Sequence, residues 1–363
     1  MRMKKIVFIA AVALAAAACS KTYNVGPDTQ KAIGFSTWAE TLTKAEARVQ
    51  GSNEFKAGDT FGVSGIKTTG STDAKVFDNV VVTASGSSSL SWAYSPIRFW
   101  DTQATSYTFY AISPSAAGTV AFADGKVSAA DVVFAGDDND ILVANKMVLT
   151  SSSTPKIGET VDLVFNHVAS LVDIKVKKAH VLANATVTVS AFALNNIKSK
   201  GTLAVNAYNT TTGVPTAVWT PDGTTTATYG PASGVEEVSI ATPIVIADDA
   251  NFTDPYGKTP AGSTDIVKSL VVMPQEFAAS AQQIAISYSI AVTGGDTINY
   301  SATLDLADFD VVDDKDQNDT KVQKWEAGKH YTFYITLDAN AIEFSASITP
   351  WTTASAGYHY VIK

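Results

Sequence analysis

Two stretches near the end of this chain alternate apolar and polar residues on either side of a turn. Tyr331, Phe333, Ile335 and Leu337 alternate with Thr332, Tyr334 and Thr336. Asp338-Ala339-Asn340-Ala341 turns the chain, and Ile342, Phe344, Ala346 and Ile348 resume the alternation. Period two puts every second side chain on one face of an extended strand, whereas a helix needs its apolar residues three and four apart. The pattern predicts an antiparallel hairpin with one buried face. Shorter runs of the same kind fill the chain from Ile33 onward, among them Phe61–Val63, Val80–Thr83, Tyr107–Ile112, Asp140–Ala144, Ala185–Leu194, Leu270–Met273 and Ile284–Val292. They are rich in Val, Ile, Thr, Tyr and Phe and are separated by Gly, Asn, Asp and Ser, which is strand and turn chemistry. Hydrophobic residues make up 46% of the 363 and charged residues 17%, so a largely disordered chain is excluded and the length suits about two domains.

The run Val161 to Val176 is too long for one flat strand. Val161, Leu163 and Phe165 place its apolar set on odd positions, while Val172, Ile174 and Val176 place it on even ones. A change of phase requires a bulge or a crossing between sheets near Ala169 to Leu171. It also suggests a junction just after Lys178. The expected fold is all-β, with two antiparallel sandwiches covering 49–178 and 179–363. The clearest helical candidate is Trp38 to Arg48, where Trp38, Leu42 and Ala45 keep helical spacing; the alternative there is an extended prosegment.

Residues 1–18 read as an export signal. Arg2, Lys4 and Lys5 precede an apolar run from Ile6 to Ala18, which is shorter than the roughly 20 residues a membrane span needs. Ala16-Ala17-Ala18-Cys19 resembles a lipobox, the site where a signal peptidase cuts before a cysteine that carries diacylglycerol. Cys19 is the only cysteine, so it has no disulfide partner within the chain. Cys19 is therefore the expected lipidation site, anchoring the protein to the outer membrane at the cell surface. Residues 19–48 form a tether and prosegment.

Little in the rest points to catalysis or cofactors. The chain has 26 Lys and Arg against 35 Asp and Glu, and three of the cations lie in the export signal. An acidic body without a basic cluster excludes a nucleic-acid backbone as partner. Asp314-x-Asp316-x-Asn318 begins like a calcium loop, but Asp319 replaces the required Gly and Trp325 the closing Glu. Ser64-Gly65-Ile66-Lys67 fits an acyl-enzyme signature without its companion motifs. His167 shares a strand face with Phe165 and Ala169 and reads as a buried neutral imidazole donating to a backbone carbonyl; His180, His330 and His359 are isolated. Trp92, Tyr94 and Trp100 could form a sugar platform, although core packing explains them better. No enzyme, metal or cofactor is expected.

Several segments together resemble the Mfa-like fimbrillins, the subunits of type V pili. They are Phe55-x-x-Gly58-Asp59-x-Phe61-Gly62-Val63, Tyr107-x-Phe109-Tyr110-Ala111-Ile112-x-Pro114, Asp140 to Ala144, and Leu163-x-Phe165-x-His167-x-x-Ser170-Leu171-Val172. Lys200-Gly201, Leu270 to Gln275, Trp325-x-Ala327-Gly328-Lys329-x-Tyr331-x-Phe333 and Trp351 follow in order. The resemblance implies a lipoprotein built from two transthyretin-like sandwiches. It implies that an arginine-specific protease removes an N-terminal strand, and that a strand from another pilus subunit fills the opened groove by β-strand addition. The matching cleavage position is Arg48, with Val49 the new N-terminus. The departing strand is Ala32 to Thr37, whose Ile33 and Phe35 point one way. Tyr358, Tyr360 and Ile362 mark a terminal alternating segment that could be the donor. The tail after Trp351 is short, which would suit a tip or accessory position; the implied role is a structural or adhesive subunit, whether tip, accessory or stalk. The competing reading is a surface glycan-binding outer-membrane lipoprotein, which requires an exposed coplanar aromatic pair and no removable strand.

Overall fold

The computed structural model describes residues 31–39, 55–86, 90–135, 140–179, 182, 184–229, 239–246, 264–311, 320–339 and 342–351. In the first half these form β1 (Phe35–Ala39), β2 (Thr60–Thr69), β3 (Thr72–Ser85), β4 (Ser91–Ala93), β5 (Ser106–Ser113), β6 (Thr119–Ala123), β7 (Lys126–Val133), β8 (Leu142–Ala144), β9 (Met147–Leu149) and β10 (Val161–His167). Next come β11 (Ser170–Lys178), β12 (Ala185–Lys198), β13 (Lys200–Tyr208), β14 (Pro215–Pro221), β15 (Thr226–Tyr229), β16 (Ser239–Val245) and β17 (Thr264–Val272). The last described strands are β18 (Gln283–Val292), β19 (Thr297–Asp305), β20 (Asp310–Val311), β21 (Thr320–Lys321), β22 (Lys329–Leu337) and β23 (Ile342–Pro350). One 3-10 turn, Leu306–Asp308, lies between β19 and β20. Trp38 and Ala39 belong to β1, so the proposed helix does not begin there: the backbone of β1 finds its partners on β10. Residues 40–48 lie outside the described residues.

Four sheets pack around three cores. The first has the order β1-β10-β8-β5-β2-β3-β4, with β9 also on β5, and the second β14-β13-β7-β6. The third runs β17-β11-β22-β23-β20-β21 and the fourth β15-β12-β18-β19, with β16 also on β12. The fold is thus an all-β sandwich architecture. Most pairings are antiparallel, but β1 with β10, β11 with β22 and β20 with β23 are parallel.

The phase change in Val161 to Val176 is a crossing. β10 ends at His167 in the first sheet and β11 starts at Ser170 in the third. Val161, Leu163 and Phe165 enter the core of the first sheet, while Val172, Ile174 and Val176 enter the core between the third and fourth. The hairpin predicted at the end of the chain is β22–β23, with Phe333 opposite Ala346. Tyr331, Phe333, Ile335 and Leu337 are buried as expected, but Thr332, Tyr334 and Thr336 are buried as well. β22 is an interior strand between β11 and β23, and its second face is covered too.

β13 and β14 follow Lys178 in sequence yet belong to the second sheet. Leu203 pairs with Ala129 and Val205 with Val127 of β7. Leu203 and Val205 then fill the middle core with Ile112, Phe134, Val143 and Trp351.

Candidate functional site

The first sheet curls until its two ends meet, and β1 lies at the seam. On one side β1 runs parallel to β10, from Phe35 opposite Val161 to Ala39 opposite Phe165. The Ser36 hydroxyl donates to the Asp162 carboxylate across this pair. On the other side the residues leading into β1 meet the segment after β4. Ile33 N–H donates to the Arg98 carbonyl and Trp100 N–H to the Lys31 carbonyl, both at 2.9 Å, and Ala32 bridges Phe99. The strand thus supplies backbone partners to both ends of the sheet.

Its side chains close the aromatic core. Ile33 and Phe35 are buried, whereas Ala32 and Gly34 between them are exposed. Phe35 stands edge-on to Phe61, Phe77, Tyr94 and Phe109, with ring centroids 5.4–6.0 Å apart. The Tyr94 hydroxyl donates to the Ile33 carbonyl at 2.7 Å. Burial raises the Tyr94 pKa above its ordinary value, opposed by its hydrogen bond with the Arg98 backbone and by the Arg98 charge. Burying Ile33 and Phe35 contributes roughly 1.5–3 kcal/mol each. Losing them would open a groove between β10 and the Arg98–Trp100 segment, floored by Phe61, Phe109 and Phe165.

After the undescribed 40–54 the chain re-enters the same core at Phe55, whose ring meets Trp92 and Phe165, each at 5.2 Å. Gly58 turns the chain with φ +95°, in the left-handed region that favours glycine. Asp59 then accepts the Lys56 N–H at 2.7 Å. Ile33 and Phe35 are thus brought together as expected from their spacing. Cys19, Arg48, Val49, Tyr358, Tyr360 and Ile362 lie outside the described residues.

The remaining candidates resolve as packing. Trp100 is buried, meeting Tyr107 edge-on at 4.7 Å, while Trp92 leans on Phe55 and Phe61 and Tyr94 on Phe35 and Phe77. These rings face the core and form no outward platform. Ser64 and Lys67 lie on β2; the serine hydroxyl turns to the Phe77 carbonyl at 3.4 Å and the lysine ammonium to Asp101 at 2.5 Å, so they are no nucleophile–base pair. Asp314 to Asp319 lie outside the described residues, and among the described residues no cluster of three His, Cys, Asp or Glu could hold a metal ion.

His167 departs from the expected backbone partner. Its Nδ1 lies 2.9 Å from the Asp140 carboxylate, and its ring stacks on Trp351 with centroids 4.0 Å apart. The side chains of His167 and Asp140 are 6% and 1% exposed, and a carboxylate buried that deeply needs a donor more than a carbonyl does. His330 is likewise paired, its Nε2 lying 3.0 Å from Asp173. A concavity of about 440 Å³ beside His167 is also lined by Val214–Ala217, Glu326–Lys329 and Trp351. The Trp351 indole is already covered by His167 and is 2% exposed, which leaves no ring face for a ligand.

The sequence profile of the fimbrillin-like family matches residues 43–351. The chain belongs to the fimbrillin-like family. Compared with curated protein sequences, it has no significant match. Among solved structures, a fimbrial protein from Bacteroides vulgatus aligns over 89% of this chain and 100% of its own, with 17% identity and a TM-score of 0.52. The tip fimbrial protein Mfa3 from Porphyromonas gingivalis, with a C-terminal truncation, aligns over 89% of this chain and 100% of its own, with 8% identity and a TM-score of 0.36. The likeness to the B. vulgatus protein is one of fold. Membership of the fimbrillin-like family supports a role as a pilus subunit or in adhesion at the cell surface, and points to a structural, non-enzymatic protein.

Proposed function

We propose that this fimbrillin-like chain is a pilus subunit exported as a lipoprotein on Cys19 and made competent for assembly by loss of β1. In this reading an arginine-specific protease cuts after Arg48, leaving Val49 as the new N-terminus. The strand carrying Ile33 and Phe35 then departs, and a strand from a neighbouring subunit takes its place. Tyr358, Tyr360 and Ile362 supply the donor pattern. The boundary near Lys178 and the likeness of each half to transthyretin belong to the same proposal.

The observation that carries it is the position of β1. This N-terminal strand holds both ends of the curled sheet and fills an aromatic core, yet it is joined to the rest only through residues 40–54. While the link is intact, the strand re-docks without competition. Cutting it turns re-docking into a bimolecular event, open to any strand of similar pattern at high local concentration. An empty groove leaves unpaired backbone groups beside apolar pockets, a strong template for pairing. Repetition from one subunit to the next gives an open-ended polymer. The glycan-binding alternative needed an outward aromatic pair, and Trp92, Tyr94 and Trp100 pack inward.

Treating the full chain with an arginine-specific protease should convert monomer to laddered oligomers on native gels. Arg48→Ala should stay monomeric under the same treatment. Cleaved protein that remains monomeric at high concentration would refute the reading for this subunit as an acceptor.

A further inference from the structure

β19 is an edge of the fourth sheet. Among the described strands it pairs only with β18, from Thr297 opposite Ala291 to Asp305 opposite Gln283, without a bulge. Every second residue of such an edge points its N–H and C=O away from the ladder, which makes it a template for another strand. Other edges carry a device against this pairing. β3 meets β4 only at Thr83–Ser85, and its free part carries Asp73, Lys75 and Asp78. β14 begins at Pro215 and ends at Pro221, β16 holds Pro243, and β17 holds Asp265 and Lys268 beside two bulges. The nine residues of β19 include no proline, no cation and one carboxylate, Asp305, at the very end. That carboxylate accepts the Ser280 N–H at 3.0 Å and the Gln283 Nε2–H at 2.6 Å. The strand also leaves apolar surface in water: Ile298 shares the core-side face with Tyr300, Ala302 and Leu304, yet it is 55% exposed.

We propose that β19 pairs antiparallel with β19 of a second copy of this chain, about a two-fold axis at Ser301. The strand is complementary to itself in this register. Ser301 is its midpoint, so all nine residues find an opposite: Ile298 faces Leu304, Tyr300 faces Ala302, Asn299 faces Thr303 and Thr297 faces Asp305. Leu304 then covers Ile298, and the large Tyr300 ring meets a small side chain. Each carboxylate meets a threonine hydroxyl, and the two Asp305 stand at opposite ends of the ladder, about 27 Å apart. A slip of one residue sets core-side side chains against outer ones. A slip of two leaves two residues of each strand facing turns. An unrelated strand has to supply this pattern by chance, whereas a second copy supplies it by symmetry. Nine residues a side fall short of the roughly 20–30 of a stable complex, so one contact is weak and gains strength where copies are arrayed. β1 lies in the first sheet and β19 in the fourth, so subunits joined by strand exchange keep this edge for side-by-side association. The pairing itself does not rest on that exchange.

The test uses the full chain carrying Cys19→Ala, which removes the native thiol, and Arg48→Ala, which closes the strand-exchange route. Ser301→Cys puts a thiol at the axis, where the Cα atoms of opposed residues lie roughly 4.5–5.5 Å apart, within disulfide reach. Thr303→Cys lies on the same exposed face, two residues off the axis. Under mild oxidation Ser301→Cys should form a disulfide-linked dimer at least about ten-fold faster than Thr303→Cys. Asn299→Cys chains mixed with Thr303→Cys chains should link to each other. Equal rates at 301 and 303, or faster linking at 303, would overturn the pairing. Because strand exchange is blocked throughout, that result leaves the exchange reading intact, and failure of exchange leaves this pairing standing.

Discussion

Phe35 on β1 stands edge-on to Phe109 on β5, with ring centroids 6.0 Å apart and planes at 88°. The contact joins the N-terminal strand to the middle of the sheet it completes. Phe35→Ala is expected to cost about 3–5 kcal/mol in urea unfolding, the range for deleting a buried aromatic ring. It should also increase hydrogen exchange along Val161–Phe165, the part of β10 that pairs with β1. Unchanged exchange there would mean that β1 is held by something other than its rings.

Tyr94→Phe keeps the ring against Phe35 and Phe77 and removes the hydroxyl that donates to Ile33. The hydroxyl also accepts the Arg98 N–H at 3.3 Å, so the expected loss is about 1–2 kcal/mol. Burial raises this hydroxyl's pKa in the folded chain, so its contribution is complete below the ordinary value of 10.0 and is lost as pH climbs through the raised value. Stability curves of parent and variant should therefore converge at strongly alkaline pH.

His167→Ala strands the Asp140 carboxylate without its donor. Asp140 Oδ1 already has no hydrogen-bond partner among the described residues. Thermal or urea unfolding should register a loss of about 3 kcal/mol. Replacing both members with leucine should be milder than the single change, because no buried polar group is then orphaned. Zinc titration should reveal no tight site that depends on His167.

Cys19→Ala should move the protein from the membrane fraction to a soluble or unprocessed form. Metabolic labelling with a fatty acid gives the readout, and continued acylation of the variant would contradict assignment of the anchor to Cys19.

A fragment of residues 49–178 lacks β13 and β14. Its middle core loses Leu203, Val205 and the partly buried Trp219, whose Nε1–H donates to the Val168 carbonyl at 2.6 Å. The fragment should show no cooperative thermal transition, whereas the full chain should.

Alternation was legible wherever one sheet face meets a core. Val161 to Val176 announced its own crossing, because a two-residue period cannot change phase without leaving its sheet. The resemblance placed Ile33 and Phe35 on a removable strand; their packing against Phe61, Phe77 and Phe109 depends on residues far along the chain. Trp38 carried a helical spacing that the β10 edge overrode. The partner of His167 was hidden because Asp140 precedes it by 27 residues, just ahead of β8, the strand that pairs with β10. The home of β13 and β14 was hidden for a similar reason: alternation says which side chains point inward, and nothing about whose core they enter.

The excursion of β13 and β14 has a mechanical consequence. From β12 the chain leaves the fourth sheet, adds two strands beside β7 in the second and returns to the fourth through β15. Pulling the halves apart requires stripping β13 from β7 and drawing Leu203 and Val205 out of their core. Under tension the chain resists as one riveted piece rather than as two beads on a string.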